Sequence, residues 1–236
     1  MSRIDFFELS EALARVRSER VALRPVALAD AYPLYRATRH PNFNRFLLWE
    51  QPDDEDQVLA RVDAIARASA AGRLAAFSAV LVETGEWVAL YRFQPHAEWP
   101  DAAEVGIWTH DRFWNDRYSL EIMRLCFSAA FSLTSLRSII GAADTSNAAS
   151  LRLMIRSGMR RTRMRVTPDE SGNRRDSIEC RITAEEWASL EPLGFVAWDD
   201  VCSQAGPAPE QLEQLRAPGP EEAPAGKRYG TLARHG

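Results

Sequence analysis

Lysine is almost absent from this chain of 236 residues: of 29 basic residues only Lys227 is a lysine, and arginine carries the rest. With so many alanines, that bias reflects genome composition as readily as chemistry and points to no function. An excess of positive charge is missing too, because 33 acidic residues leave a formal net charge of −4. That balance argues against a protein whose main business is neutralising nucleic-acid phosphates. Cysteine is scarce: Cys126, Cys180 and Cys202 form no CxxC pair and leave one unpaired in any disulfide scheme. A disulfide framework is thereby excluded, and reduced thiols in the cytoplasm are the simplest reading. His40, His96, His110 and His235 lack metal-ligand spacing, so no metal site is expected. No run of about 18 apolar residues occurs, and the N-terminus has no basic segment followed by an apolar stretch. A soluble, cytoplasmic protein without a membrane partner is the expectation.

What the sequence does have is 46% hydrophobic residues, enough to bury one sizeable core, and a length that favours one domain with extensions. Residues 21–25 read as a first strand stopped by Pro25, followed by a helix near Asp30. Asp53, Asp54, Glu55 and Asp56 precede an apolar helical stripe of Val58, Leu59, Val62 and Ile65 that ends near Gly72. The acidic run is read as a complement to that helix's dipole. Strands are predicted over 77–83 and 87–93, joined by a hairpin at Thr84-Gly85-Glu86, and over 104–109. A helix is predicted over 118–131, with Cys126 as a small core residue. After a strand over 138–143, Asn147 is a natural N-cap and Gly158 a natural left-handed C-terminal residue for the next helix. A terminal hairpin closes the domain, with Thr162, Met164 and Val166 alternating with arginines and Ile178, Cys180 and Ile182 alternating opposite. Residues 204–236 are rich in Pro, Gly, Ala and Glu and are expected to be largely flexible, although Phe195 to Trp198 has the composition to dock.

This order of elements resembles the GNAT N-acyltransferase family. Ala103-Glu104-Val105-Gly106-Ile107-Trp108 is similar to that family's central strand. Arg112-Phe113-Trp114-Asn115-Asp116-Arg117-Tyr118-Ser119 lies where the family carries its pyrophosphate loop. Asn147-Ala148-Ala149-Ser150, running on to Gly158-Met159, matches the family's second motif. Leu23-Arg24-Pro25 and Ile182-Thr183-Ala184-Glu185-Glu186-Trp187 resemble the branch that includes ribosomal-protein alanine acetyltransferases, the Rim-like branch. The resemblance covers roughly 20–190, leaving 1–19 and 191–236 as extensions. It implies an α/β (α+β) fold with a mixed central sheet flanked by helices.

The resemblance further implies acyl transfer from acetyl-CoA or another acyl-CoA to a primary amine, on a protein N-terminus or a small molecule, without a metal; a homodimer is compatible with it. A helix N-terminus with unpaired backbone N–H groups suits a pyrophosphate. The residues so assigned to coenzyme A are Ile107, Trp108, Thr109, Arg112, Asn115, Asp116, Arg117, Tyr118, Ser119, Asn147 and Ser150. Asn115 and Arg117 stand where the family usually has glycines. Asn115 tolerates positive φ, whereas Arg117 could either crowd the pyrophosphate or grip it. Glu104 is the candidate base for the attacking amine; as an alternative it is an exposed strand residue or a partner for an arginine. Ser150 is the candidate proton donor to the departing thiolate, or else a first-turn helix residue. Met154 replaces a tyrosine that many family members use as that acid. These departures keep two other readings open: a non-catalytic GNAT-like module that binds acyl-CoA or a partner, and an enzyme using another donor. Arg160, Arg161, Arg163 and Arg165, with Arg174 and Arg175 opposite, are read as the solvated outer face of the hairpin in preference to a site for an acidic substrate or RNA. The acceptor pocket is expected from 30–50, 93–103 and the hairpin, with Phe43, Phe46, Trp49 and Trp99 as candidate lining or core.

Overall fold

A computed structural model describes residues 4–46, 48–114, 118–190 and 196–197. Its helices are α1 (Phe6–Leu13), α2 (Ala31–Thr38), α3 (Pro41–Asn44), α4 (Glu55–Ala70), α5 (Tyr118–Leu133), α6 (Ala148–Arg156) and α7 (Ala184–Ala188). Its strands are β1 (Val16–Arg17), β2 (Val21–Pro25), β3 (Ala75–Leu81), β4 (Trp87–Pro95), β5 (Ala102–Thr109), β6 (Ser138–Asp144), β7 (Arg160–Pro168), β8 (Arg174–Thr183) and β9 (Val196–Ala197). All strands join one mixed sheet in the order β7-β8-β6-β5-β4-β3-β2-β1-β9. Neighbours are antiparallel except β5 and β6, which run parallel. No helix among the described residues is long and apolar enough to cross a membrane.

Alternation along β4 and β5 distributes side chains between two apolar clusters. Tyr91, Phe93, Ala103 and Val105 pack with α1, α5, α6 and α7, while Leu90 packs with α2, α3, α4 and Trp49. Residues 6–13, expected as part of an extension, form a helix that buries Phe6, Leu9 and Leu13 in the first of these clusters. Cys126 is buried there as well, and burial pushes its thiol well up from the ordinary value, which suits a packing role. Asp54 caps α4 by accepting from the Gln57 amide, with Glu55 and Asp56 in the first turn. Asn147 likewise caps α6, accepting from the Ser150 amide at 3.1 Å.

Gly158 ends the α6 region at φ +96°, where a Cβ would fall 2.4 Å from Leu190 Cδ1 and 3.1 Å from Ile182 Cδ1. Gly158→Ala is expected to cost about 1–3 kcal/mol through backbone strain and crowding, read as a lowered midpoint in thermal or urea denaturation.

The expectation for the hairpin needs one correction. Met164 and Val166, expected on the buried side, are exposed, at 68% and 44%, as are residues 160–163, whereas the Arg165 side chain is 22% exposed; Arg163 and Arg165 turn toward carboxylates. The register of β7 on β8 shifts between Arg161 and Arg163. Met164 lies opposite Ile178 on the apolar face, but as part of the edge strand it runs out beyond the cover of the helices. The expected strand at 77–83 begins and ends two residues earlier, because Glu83 falls in the turn. The expected flexibility of 204–236 and the expected docking of Trp198 lie outside the described residues. β9 does pair with β1, Val16 opposite Ala197.

Candidate active site

β5 and β6 pair only over three positions, Ala102 with Ser138, Ala103 with Ile139 and Glu104 with Ile140. Past Glu104 the strands part. β5 continues to Thr109 bonded to β4 alone, and β6 continues to Asp144 bonded to β8 alone. The His110 amide donates to Val88 O at 2.9 Å with Thr109 opposite Ala89. In an antiparallel ladder this phase turns the backbone groups of 104, 106 and 108 toward β4 and those of 105, 107 and 109 toward the gap. Ile107 and Thr109 therefore present N–H and C=O groups to the opening, while Trp108 presents its indole to the opposite face of the sheet. Trp114 Nε1 already donates to Thr109 O at 2.9 Å.

On the face toward α5 and α6 the gap is floored by packing. A Cβ on Gly141 of β6 would lie 2.8 Å from Met154 Sδ and 3.5 Å from Val105 Cγ1. Gly141 thus lets the Met154 thioether settle over β6 beside Val105. Met154 is buried, and a thioether has no proton to donate. Asn147 spends its side-chain carbonyl on the α6 cap, and Ser150 occupies the first turn of α6 with a hydroxyl that bonds to no other described group. At the far end of β5, Thr109 Oγ1 and Ser119 Oγ approach to 3.2 Å, and the Tyr91 hydroxyl donates to Ser119 O at 3.2 Å. Tyr118 opens α5 with the Arg20 guanidinium 4.4 Å over its ring. Arg112 points to Glu86 in the β3–β4 turn, away from the opening. Asn115, Asp116 and Arg117 lie outside the described residues.

The face toward α2 and α4 carries the charges. Glu104 stands at the last paired position of β5, with Arg165 of β7 donating to its Oε1. Arg165 and Arg163 both reach the buried Glu179 of β8: Arg163 Nη2 is 3.1 Å and Arg165 Nη1 3.7 Å from Glu179 Oε2, and Thr162 Oγ1 donates to Oε1 at 3.0 Å. His96, also buried, places Nε2 3.8 Å from Glu179 while its Nδ1 accepts from the Glu98 amide. The hydrogen bond from Arg163 holds the Glu98 carboxyl below its ordinary range.

Next to Glu104 on the same face, Gly106 leaves room for Arg92 of β4 to lie across β5, with Arg92 Nε 3.2 Å from the position of the missing Cβ. The Arg92 guanidinium is 5.3 Å from the Trp108 ring, Trp108 is 5.6 Å from Trp49, and Arg61 stacks 4.2 Å over Trp49. Over this row the segment 48–50 meets the hairpin turn. The Glu170 amide donates to Leu48 O at 2.7 Å, the Glu50 amide to Glu170 Oε2 at 3.2 Å, and Arg61 Nη2 to both Glu170 oxygens at 2.8 and 3.0 Å. Trp49, like Phe43, is buried in the core with α2 and α4, and Trp99 lies under Arg181 at 4.2 Å. Sequence reasoning left Arg92 out of the site. Only the pairing of Arg92 with Gly106 across two strands puts it there, although a glycine inside a strand is a signal of close approach.

The parallel pair splays open with a carboxylate where it parts and the starts of α5 and α6 following its two strands. The family model for the acetyltransferase (GNAT) domain matches residues 20–160, more than half of the chain. The chain belongs to the GNAT acetyltransferase family. Solved structures with the same GNAT fold include a GNAT-family acetyltransferase from Bacillus anthracis, 20% identical over 72% of this chain and 99% of that one, with a TM-score of 0.62. RimJ from Mycobacterium smegmatis, solved in complex with CoA-disulfide, is 20% identical over 73% of this chain and 86% of its own, with a TM-score of 0.61. A GCN5-related N-acetyltransferase from Brucella melitensis is 17% identical over 75% of this chain and 82% of its own, with a TM-score of 0.63. Comparison with curated protein sequences gives no match. Among the described residues no group of three or more His, Cys, Asp or Glu is placed to hold a metal ion.

Proposed function

We propose that this GNAT protein is an acyl-CoA-dependent N-acyltransferase, with acetyl-CoA as donor and a primary amine as acceptor. The observation that carries this reading is the position of Glu104, a carboxylate at the point where β5 and β6 separate. Ile107 and Thr109 turn backbone groups to the gap that fit the amides of a pantetheine arm, and the start of α5 fits a pyrophosphate. Coenzyme A supplies the acyl group as a thioester. Glu104 takes the proton that the amine loses as its nitrogen bonds to the acyl carbon and the C–S bond breaks. Its Oε2 receives no hydrogen bond from the described residues, so an ammonium group has a lone pair to approach while Arg165 stays on Oε1. Ser150 returns a proton to the thiolate, the role that Met154 cannot fill.

Titration calorimetry is expected to give micromolar affinity for acetyl-CoA and for free coenzyme A. Incubation with acetyl-CoA and an amine panel is expected to release thiol. No heat at millimolar ligand would overturn the donor assignment, and binding without thiol release from any amine would make the chain a binding module.

A further inference from the structure

The aromatic row beside Glu104 is capped by a cation at each end, and the two ends differ. Arg61, stacked on Trp49, has its carboxylate: Glu170 accepts from Arg61 Nη2 with both oxygens. Arg92, stacked on Trp108, makes no hydrogen bond and no ion pair with any described residue, and its Nε is buried without a partner. Burial lowers its pKa from the ordinary value, opposed by the charge of Glu104. A half-buried guanidinium without an anion is costly, and a planar fork of donors answers best to a carboxylate. The indole N–H of Trp49, also buried and unpartnered, adds a second unused donor to the same row.

Glu104 and Gly106, over which Arg92 lies, are two residues apart on one strand, about 7 Å. We infer that the acceptor is a small amino acid whose carboxylate is held by Arg92 while its amine faces Glu104, the two groups being separated by one to three carbons. A protein N-terminus, whose first residue presents an amide where a free amino acid presents a carboxylate, is the disfavoured acceptor. The inference rests on the acyltransferase reading for the amine half of the site, and on Arg92 alone for the carboxylate half.

The test compares L-alanine, β-alanine and 4-aminobutanoate with their amides as acceptors for acetyl-CoA, in the wild type and in Arg92→Met, which keeps the stem over Gly106 and Trp108. At least one acid is expected to exceed its amide about 10- to 100-fold in kcat/KM, the effect of a charge-assisted bond, and Arg92→Met is expected to erase that preference. Equal rates for every acid and its amide, or a preference that survives in Arg92→Met, would overturn the inference. Calorimetry with the three N-acetylated acids separates the two readings without turnover. Binding that is lost in Arg92→Met supports the carboxylate site even if no amine is acetylated, in which case the acyltransferase reading is what fails. Binding that is absent, or equal in both proteins, removes the site.

Discussion

Glu104→Gln is expected to slow acyl transfer by about 10²- to 10⁴-fold, the usual contribution of a positioned general base, with affinity for acetyl-CoA unchanged. The amide keeps the length of the side chain and still offers an oxygen to Arg165, so the bond between β5 and β7 survives. What it loses is the ability to take a proton. The backbone of 107 and 109 lies three to five residues farther along and on the gap side of β5. Steady-state kinetics with calorimetry checks both halves. Unchanged turnover would reduce Glu104 to a structural partner of Arg165; weakened donor binding would mean that the substitution had disturbed the strand.

The second large effect is one of stability. Glu179→Ala is expected to cost about 3–5 kcal/mol, as for removal of one partner from a buried ionic cluster. Glu179 is 3% exposed and lies among Arg163, Arg165, Thr162 and His96. Without it Arg163 keeps Glu98 and Arg165 keeps Glu104, but both lose the charge that draws β7 against β8, and a cavity opens beneath them. Thermal denaturation is expected to shift down by roughly 6–20 °C, at about 2–4 °C per kcal/mol for a domain of this size. Glu179→Gln, which keeps the Thr162 bond and the volume, is expected to lose less than half as much. Equal melting of wild type and alanine variant would show that Arg163 and Arg165 are satisfied from outside the cluster.

The parts of this fold that are written locally were legible in the sequence. Asn147 and Gly158 bracket α6 because a side-chain cap and a left-handed residue act on their own neighbours. The same holds for Asp54 at the start of α4 and for the apolar spacing of 118–131, which extends in the structure to Leu133. Glu104 was legible only through family resemblance, since an isolated acid on a strand has no local signature. The burial of the terminal hairpin was not legible. Which side chains of β7 are shielded depends on Glu98, Glu104 and Glu179, carboxylates from three other segments. Arg92 was missed for the same reason: its neighbours Gly106, Trp108 and Trp49 are distant in sequence, and its lack of an anion is a property of the assembled sheet.

The splayed gap between β5 and β6 has a consequence for how such a protein tolerates drift. Its hydrogen-bonding edge is made of peptide groups, which every residue except proline supplies in full. Side chains at 107 and 109 can thus be exchanged over generations without removing a backbone donor or acceptor from that edge. The opposite face has no such insurance, because Arg92, Trp108 and Glu104 act through the atoms that distinguish them. A sheet built this way keeps its backbone edge through substitution, while its charged face changes with every replacement.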